Sequence, residues 1–525
     1  MAKPPKGDTG SLQPAREPII RGVGVTPSEQ HLARLAERSF LNLWSFPNPF
    51  PDQRGDATGD GKELCDLLIV CGDHVLIFSE KTYSWPDVED QEVAWCRWFK
   101  KAVAKSADQT KGAERWLKEF PDRVFLDAAC IRPLPVELPP QGRRRVHRIV
   151  VAGGAGAACK QHFRGGIGSF AIAPDIKGSD HWDRAKGVRP FWIGDIDPDG
   201  SFVHVFDDGS LNVIMRELDT ITDFTDYLEK KEQFIRSGRL SAAHGEEDLL
   251  AYYAVRINEH GGHDFAHPYE RPWRAGDRIA IDGTNYASFV RNPQYRAKKD
   301  ADKVSYVWDA LIETFSKHLL GGTSLVPPWQ DFDLRKSEHG LREMALESRF
   351  ERRSHGEAIV GAFEESKRRM MFFRAMLPGA NSRNRGTGFF MLTVAYHARF
   401  DESGGYDEYR LFRCTLGELY AKGLLLRHPH LDKIVGIITE PAGRHRGSSE
   451  DLLYGERRDW TEDEKAEILA DCKRLNILRP DYTERRWEGQ EFPEVSRPLH
   501  APRSGPPQNR KARRAAQAKA RKGGG

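Results

Sequence analysis

The chain has 525 residues, 39% of them hydrophobic and 30% charged, with seven cysteines and a formal net charge of +3. That length suggests roughly three domains, and 27 Phe with 12 Trp are enough to build real cores. No run of 18 apolar residues occurs, which excludes a membrane-spanning helix. The polar Met1–Gly10 segment and the scattered cysteines lead us to expect a cytoplasmic protein without a disulfide framework.

The charge is unevenly distributed. Arg503–Gly525 holds eight Lys/Arg and no acid, leaving 72 Lys/Arg against 77 Asp/Glu in the body, a net −5. Such a basic tail is expected to be disordered, and it can attract phosphate without reading sequence.

Residues 1–25 carry Pro, Gly and Lys without periodicity and are expected to be disordered. Thr26, Pro27 and Glu29 supply a cap, a first-turn proline and a capping-box acid. They predict a helix whose apolar residues are Leu32, Leu35, Ala36, Phe40, Leu43 and Trp44. SFPNPFPD (Ser45–Asp52) stops it. Two apolar runs, Leu64–Cys71 and His74–Lys81, flank Gly72-Asp73 and predict a hairpin of strands buried on both faces. A tryptophan-rich basic helix is expected from about Val88 to Lys105, another over Thr110–Phe120, and a strand over Val146–Ala152. Short strands surround a DPDG turn between Phe191 and Phe206, and helices follow near Ser210–Leu218 and Phe224–Ser237. Residues 241–400 are predicted mainly helical, with long stretches at Asp302–Leu320 and Ser348–Met376 and one strand at Gly388–Tyr396. Residues 401–500 are predicted α+β, with a strand at Lys433–Thr439.

The sharpest chemical pattern lies in Gly61–Lys81, GKELCDLLIVCGDHVLIFSEK. One strand carries an acid at Asp66, and the next ends in Glu80-Lys81. Carboxylates at adjacent strand ends can hold a hard divalent cation, and a lysine beside them can orient water or offset developing charge. On these residues the segment resembles the PD-(D/E)xK nuclease superfamily, in its nuclease-related-domain and RecB-like branches, over roughly residues 27–150. The resemblance implies an α/β fold with an N-terminal restriction-endonuclease-like αβββαβ domain within residues 26–240, followed by the mostly helical region. It also implies Mg²⁺- or Mn²⁺-dependent hydrolysis of nucleic-acid phosphodiesters, DNA before RNA, in a setting such as prokaryotic defence, restriction or repair.

In that alignment Asp66 stands for the first metal-binding acid and Lys81 for the lysine, while Glu37 stands for the helix glutamate of some branches, with Glu63 a further candidate ligand. The family's second acid would fall at position 79, which is Ser79, and Glu80 lies next to the lysine instead. Neighbours on a regular strand face opposite ways. Three outcomes are open: a bulge brings Glu80 round, Glu89 or Glu92 on the following helix substitutes, or the site is degenerate and the domain only binds nucleic acid or a partner. Arg97, Lys100, Lys101 and Lys105 would contact the phosphate backbone, and residues 245–400 would offer a surface for a protein partner.

Other patterns are weaker. RIVVAGGAGAAC (Arg148–Cys159) has Cys159 where a dinucleotide fingerprint needs its third small residue. Asp195, Asp197 and Asp199 open like a calcium loop, but the twelfth position is Phe206. His260, His263 and His267 lack an accompanying cysteine pair and sit among glycines.

Overall fold

The computed structural model describes residues 13–14, 17–53, 61–259, 261–326, 334–379, 382–443, 449–478 and 484–495. The basic tail lies outside them, as does His260. Residues 17–25 are not loose: Ile19 N–H donates to Leu320 O, and Arg21 donates to the carbonyls of Asn42 and Ser45.

The capping signals at Thr26–Glu29 produce helix α1, Pro27–Phe40, with the Thr26 side chain accepting from Glu29 N–H. It ends four residues before the predicted Trp44 because Leu41 takes a positive φ of 66°. Strand β1 (Ser45–Pro47) follows, then β2 (Leu67–Cys71) and β3 (His74–Thr82). The β2–β3 turn is the expected two-residue one, with Gly72 at φ +60° and Cys71 opposite His74. Both strands are buried on both faces, as their unbroken apolar runs require.

Instead of two helices separated near residue 105, the chain runs continuously through α2 (Gln91–Phe99), a π turn (Lys100–Ala104) and α3 (Lys105–Glu119). Strand β4 (Arg145–Gly153) then lies parallel to β3, with pairing unbroken from His74–Arg145 to Thr82–Gly153. After β4 come α4 (Gly156–His162), β5 (Ala171–Lys177), β6 (Trp192–Asp195) and β7 (Val203–Phe206). The first sheet has the order β7-β4-β3-β2-β1, with β2 antiparallel to both neighbours and β3, β4 and β7 mutually parallel.

Strand alternation sorts the two faces. Val150, Ala152, Val203 and Val205 pack under Trp95, Trp98 and Phe99 of α2, whereas Ile149, Val151 and Phe206 join the core of Leu32, Ala36 and Phe40. That second face is also covered by α5 (Asp208–Glu217) and α6 (Ile221–Arg236).

The remainder does not divide where composition suggested. Strands β8 (Leu240–Ala243) and β9 (Ile279–Ile281), separated by α7 (Glu246–Ala254), complete a sheet with β5 and β6, so the expected boundary at 240/241 cuts a sheet. Helices α8 (Asn285–Arg291), α9 (Pro293–Ala301), α10 (Tyr306–Leu320), α11 (Leu334–Ala345) and α12 (Arg349–Ser366) follow. The predicted helix to Met376 ends early because Met371–Met376 forms β10 against β11 (Thr387–Val394). Helix α13 (Gly405–Arg427) leads to β12 (Lys433–Thr439), parallel to β11, and then come β13 (Asp451–Glu456) and α14 (Glu462–Arg474). The expected boundary at 400/401 therefore also cuts a sheet. Trp308, Ile312, Leu341 and Met344 share one core with Phe40 and Trp44, so the helical region and the first sheet are not separated by a polar seam.

Buried ion pairs stitch this junction. Asp309 of α10 accepts from Arg349 (2.7 Å) and Arg352 (2.8 Å) of α12, and Arg349 also reaches Asp219 at 2.8 Å, before α6. Arg352 is 1% exposed. Removing one member of such a set leaves buried charge uncompensated, at about 3–5 kcal/mol. Asp309→Ala is therefore expected to lower unfolding free energy by that amount in urea titration, against less than about 1 kcal/mol for removing the exposed Asp300–Lys303 pair.

Candidate functional site

Asp66 is the residue immediately before β2, and its backbone N–H donates to Phe78 O. The register Leu67–Phe78 places it opposite Ser79, so Asp66, Ser79 and Lys81 share the face covered by α3. Gln109 of α3 links them: its Oε1 accepts from Ser79 Oγ at 3.1 Å, and its Nε2 reaches Asp66 Oδ1 at 3.5 Å. Asp66 Oδ2 accepts the Glu80 backbone N–H at 2.5 Å. Lys81 is half-buried and acts electrostatically on both Asp66 and Glu63.

Glu80 goes the other way. The β3–β4 pairing shows no bulge, so alternation turns the Glu80 side chain to the α1 face. There its two oxygens accept from Ser28 Oγ (2.8 Å) and Thr82 Oγ1 (2.7 Å). The expected grouping of Glu80 with Asp66 and Lys81 is thus broken by the strand's pleat. Glu92, the alternative on the next helix, is exposed and lies 3.8 Å from Arg184, and Glu89 is exposed as well. Glu37 is paired with Arg21 at 3.4 Å, more than two turns along α1 from the helix end that meets the site.

The acids that do reach Asp66 are Glu63 and Glu29. Asn48, just past β1, adopts φ +49°, which asparagine tolerates better than most residues. Its backbone N–H donates to Asp66 O, and its Nδ2 donates to Glu29 (3.0 Å) and Glu63 (3.1 Å) together. Glu63 was a candidate from sequence. In the sequence Glu29 reads as a capping residue, and Asn48, Gln109 and Ser28 carry no motif signal. The one cue was polarity: Asn48 interrupts an aromatic-proline run, and Gln109 faces the sheet.

Burial, hydrogen bonding and neighbouring charge together set the titration behaviour. Burial pushes the Asp66 carboxyl up to about 6; the Glu80 N–H and Lys81 oppose this, while Glu29 and Glu63 add to it. Burial also raises Glu63, with Glu29 adding and Asn48 and Lys81 opposing. Glu29 is desolvated too, but hydrogen bonds from Asn48, Val25 and Thr26 hold it below the usual glutamate range. Three neighbouring carboxylates, two of them within the field of the Lys81 ammonium, suit a hard divalent cation in donor chemistry. Their oxygens do not all lie within 4.8 Å of one another, so a shared ion requires the two glutamates to swing inward.

Arg97, Lys100, Lys101 and Lys105 are all exposed, and none of them forms an ion pair among the described residues. Lys105 is one helical turn before Gln109, so the basic stripe runs toward the residue that holds Asp66.

The weaker patterns resolve into scaffold. Asp195 pairs with Arg236, and Asp197 with Lys111 and the buried Arg148, in a turn closed by Gly200 N–H to Asp197 O. Gly154 sits at φ +94° where a Cβ would stand 2.0 Å from Tyr83 O, a packing need. His263 pairs with Glu491 and His267 lies near Asp277, each with its own acid. Comparison with protein-family models, with curated proteins and with solved structures finds no match.

The raised Asp66 pKa gives a stability signature. Folded Asp66 holds its proton to about pH 6, whereas the unfolded side chain loses it near 3.8. Its contribution is therefore present below pH 3.8 and lost as pH rises through 6, leaving an unfavourable buried charge at neutrality. Without added metal, Asp66→Asn is expected to raise unfolding free energy at pH 7.5 by on the order of 2 kcal/mol. The gain should vanish by about pH 4, and a pH-independent difference in denaturant titrations would contradict the assignment.

Proposed function

We propose that the chain is a metal-dependent nuclease of the PD-(D/E)xK type, with DNA the preferred substrate over RNA. The observation that carries this reading is the meeting of Asp66 and Lys81 on one sheet face, within electrostatic reach of Glu63 and Glu29. The element order around them supports it: a helix, three antiparallel strands, a helix and a parallel strand, in the sequence αβββαβ.

Asp66, with Glu63 and Glu29 drawn inward, would hold Mg²⁺ or Mn²⁺. Such an ion, when bound, lowers the pKa of attacking water and polarises the scissile phosphate. Lys81 supplies positive charge where the phosphate becomes more negative. Gln109 keeps Asp66 and the Ser79 side of β3 in register. Glu29 takes the role expected of Glu37, because the first turn of α1 and not its last meets the strand ends. Glu80 has a positioning role, fastening the end of β3 to Ser28 and so fixing the N–H that holds Asp66. Lys105, Lys101, Lys100 and Arg97 would hold the nucleic-acid backbone, and their contribution should fall steeply with salt.

A second reading has its own observation. Ser79 replaces the family's second acid and the three carboxylates are not gathered on one point, as in a nuclease fold kept for binding alone. Cleavage separates the two. With Mg²⁺ or Mn²⁺, Asp66→Asn and Lys81→Ala are expected to lower DNA cleavage by about 100-fold or more, and Glu63→Gln by a smaller factor. Lys105→Glu should raise the DNA concentration needed. No cleavage by the wild type, with DNA affinity retained and reduced in Lys105→Glu, would favour the binding reading. Equal cleavage by wild type, Asp66→Asn and Lys81→Ala would remove the site.

A further inference from the structure

At the opposite end of β3 lies a group of side chains with no part in the acid cluster. The register pairs Leu76 with His147 and His204 with Ile149, so His74, His147 and His204 form a diagonal row across β3, β4 and β7 on the α6 face. His74 lies about 23 Å from Lys81 along the strand. Glu229 of α6 reaches down onto the row. The His74 and His147 rings stack with centroids 5.3 Å apart, and His74 Nδ1 is 3.0 Å from His147 Nε2. Glu229 Oε1 stands 3.8 Å from His74 Nδ1, and one ligand atom from each of the three residues falls within 4.8 Å of the others. Among the described residues this set is the one where three such atoms converge so closely.

We propose that His74, His147 and Glu229 form a Zn²⁺ site. Two imidazole nitrogens and one carboxylate are a familiar zinc ligand set with a fourth position left open. Tetrahedral bonds of about 2.0–2.1 Å place neighbouring ligand atoms about 3.3 Å apart, which the 3.0 and 3.8 Å separations bracket. The His74–His147 contact is within hydrogen-bond range, whereas the 3.8 Å from His74 to Glu229 is beyond it and leaves that pair without a direct bond. The next histidine in the row, His204, is 1% exposed, and its Nδ1 has no hydrogen-bond partner. The side chains of His74 and Glu229 are 17% and 27% exposed, so an ion can enter from solvent. Arg145 donates from Nη1 to both Glu229 oxygens at 3.1 Å, and can keep one of them as an outer partner that orients the carboxylate. The ion would tie β3, β4 and α6 together without touching Asp66.

The test uses the full chain, stripped with chelator and dialysed. Co²⁺ is followed by its visible absorption, and Zn²⁺ by competition with a chromophoric chelator. The expected result is one ion per chain with Kd below about 1 μM, and a Co²⁺ spectrum of low coordination number. His74→Ala and Glu229→Gln, at less buried positions than His147, should each weaken binding at least tenfold. Asp66→Asn should bind zinc as the wild type does, so failure of the nuclease reading and failure of this one give different results. Wild type without stoichiometric uptake, or His74→Ala and Glu229→Gln variants that bind like wild type, would overturn the proposal.

Discussion

The whole arrangement hangs on the alternation of one central strand. β3 is hydrogen-bonded on both sides, antiparallel to β2 and parallel to β4, without a bulge from His74 to Thr82. A period of two then leaves no freedom: Ser79 and Lys81 go to the α3 face, while His74 and Glu80 go to the α1/α6 face. A slip of one residue would exchange the faces and carry Lys81 to the side where Ser28 of α1 now holds Glu80. The apolar residues Val75–Phe78, all essentially inaccessible, enforce the register, so the side chains at the strand's two ends are positioned by packing in its middle.

The displaced acid follows from the same constraint. A carboxylate at position 79 would lie between Asp66 and Gln109, inside the space that Ser79 shares with α3. With serine there, the negative charge near Asp66 comes from residues outside β3: Glu63, two residues before the Cys65–Asp66 step into β2, and Glu29, on the first turn of α1. Asn48 is the hinge of that substitution, since a single amide spans both glutamates while its backbone is pinned to Asp66. Without Asn48 the two glutamates would repel across a half-buried gap with only Lys81 to offset them.

Much of this was legible in the sequence, and the failures have identifiable causes. The hairpin, α1, β4 and the pair Asp66 and Lys81 follow from local signals, namely caps, apolar runs and a Gly-Asp turn, and local signals survive folding. Sequence points to Glu37 and leaves Glu29 as a cap because helical periodicity says which side of α1 faces the sheet, not which end meets the strand termini. Asn48 and Gln109 were missed because their partners lie 15 and 30 residues away in sequence. The histidine row was invisible for the same reason, as 73 residues separate His74 from His147 and only the β3–β4 register aligns them. The pairing of β8 and β12 with strands on the other side of each composition shift is likewise not carried by composition, since it is long-range.

Buried acids are common in this molecule, and the partner of each separates scaffold from site. Asp219 has Arg349 and Glu246 has Lys231 at 2.6 Å, so each is neutralised in place. Asp207 and Glu247 lack a cation, but the first caps α5 through the N–H groups of Gly209 and Ser210, and the second is hydrogen-bonded by Ser169. Their charge or proton is thus accounted for by groups that belong to the fold. Asp66 differs from both kinds: one backbone N–H and one long amide contact are its hydrogen bonds, its nearest titratable neighbours include two more carboxylates, and the ammonium of Lys81 acts on it from a distance. A carboxylate kept at a free-energy cost beside other carboxylates, with no scaffold cation assigned to it, is what an external cation would satisfy. That imbalance of charge, together with the sequence pattern around Asp66, is the physical ground for the metal site we propose there.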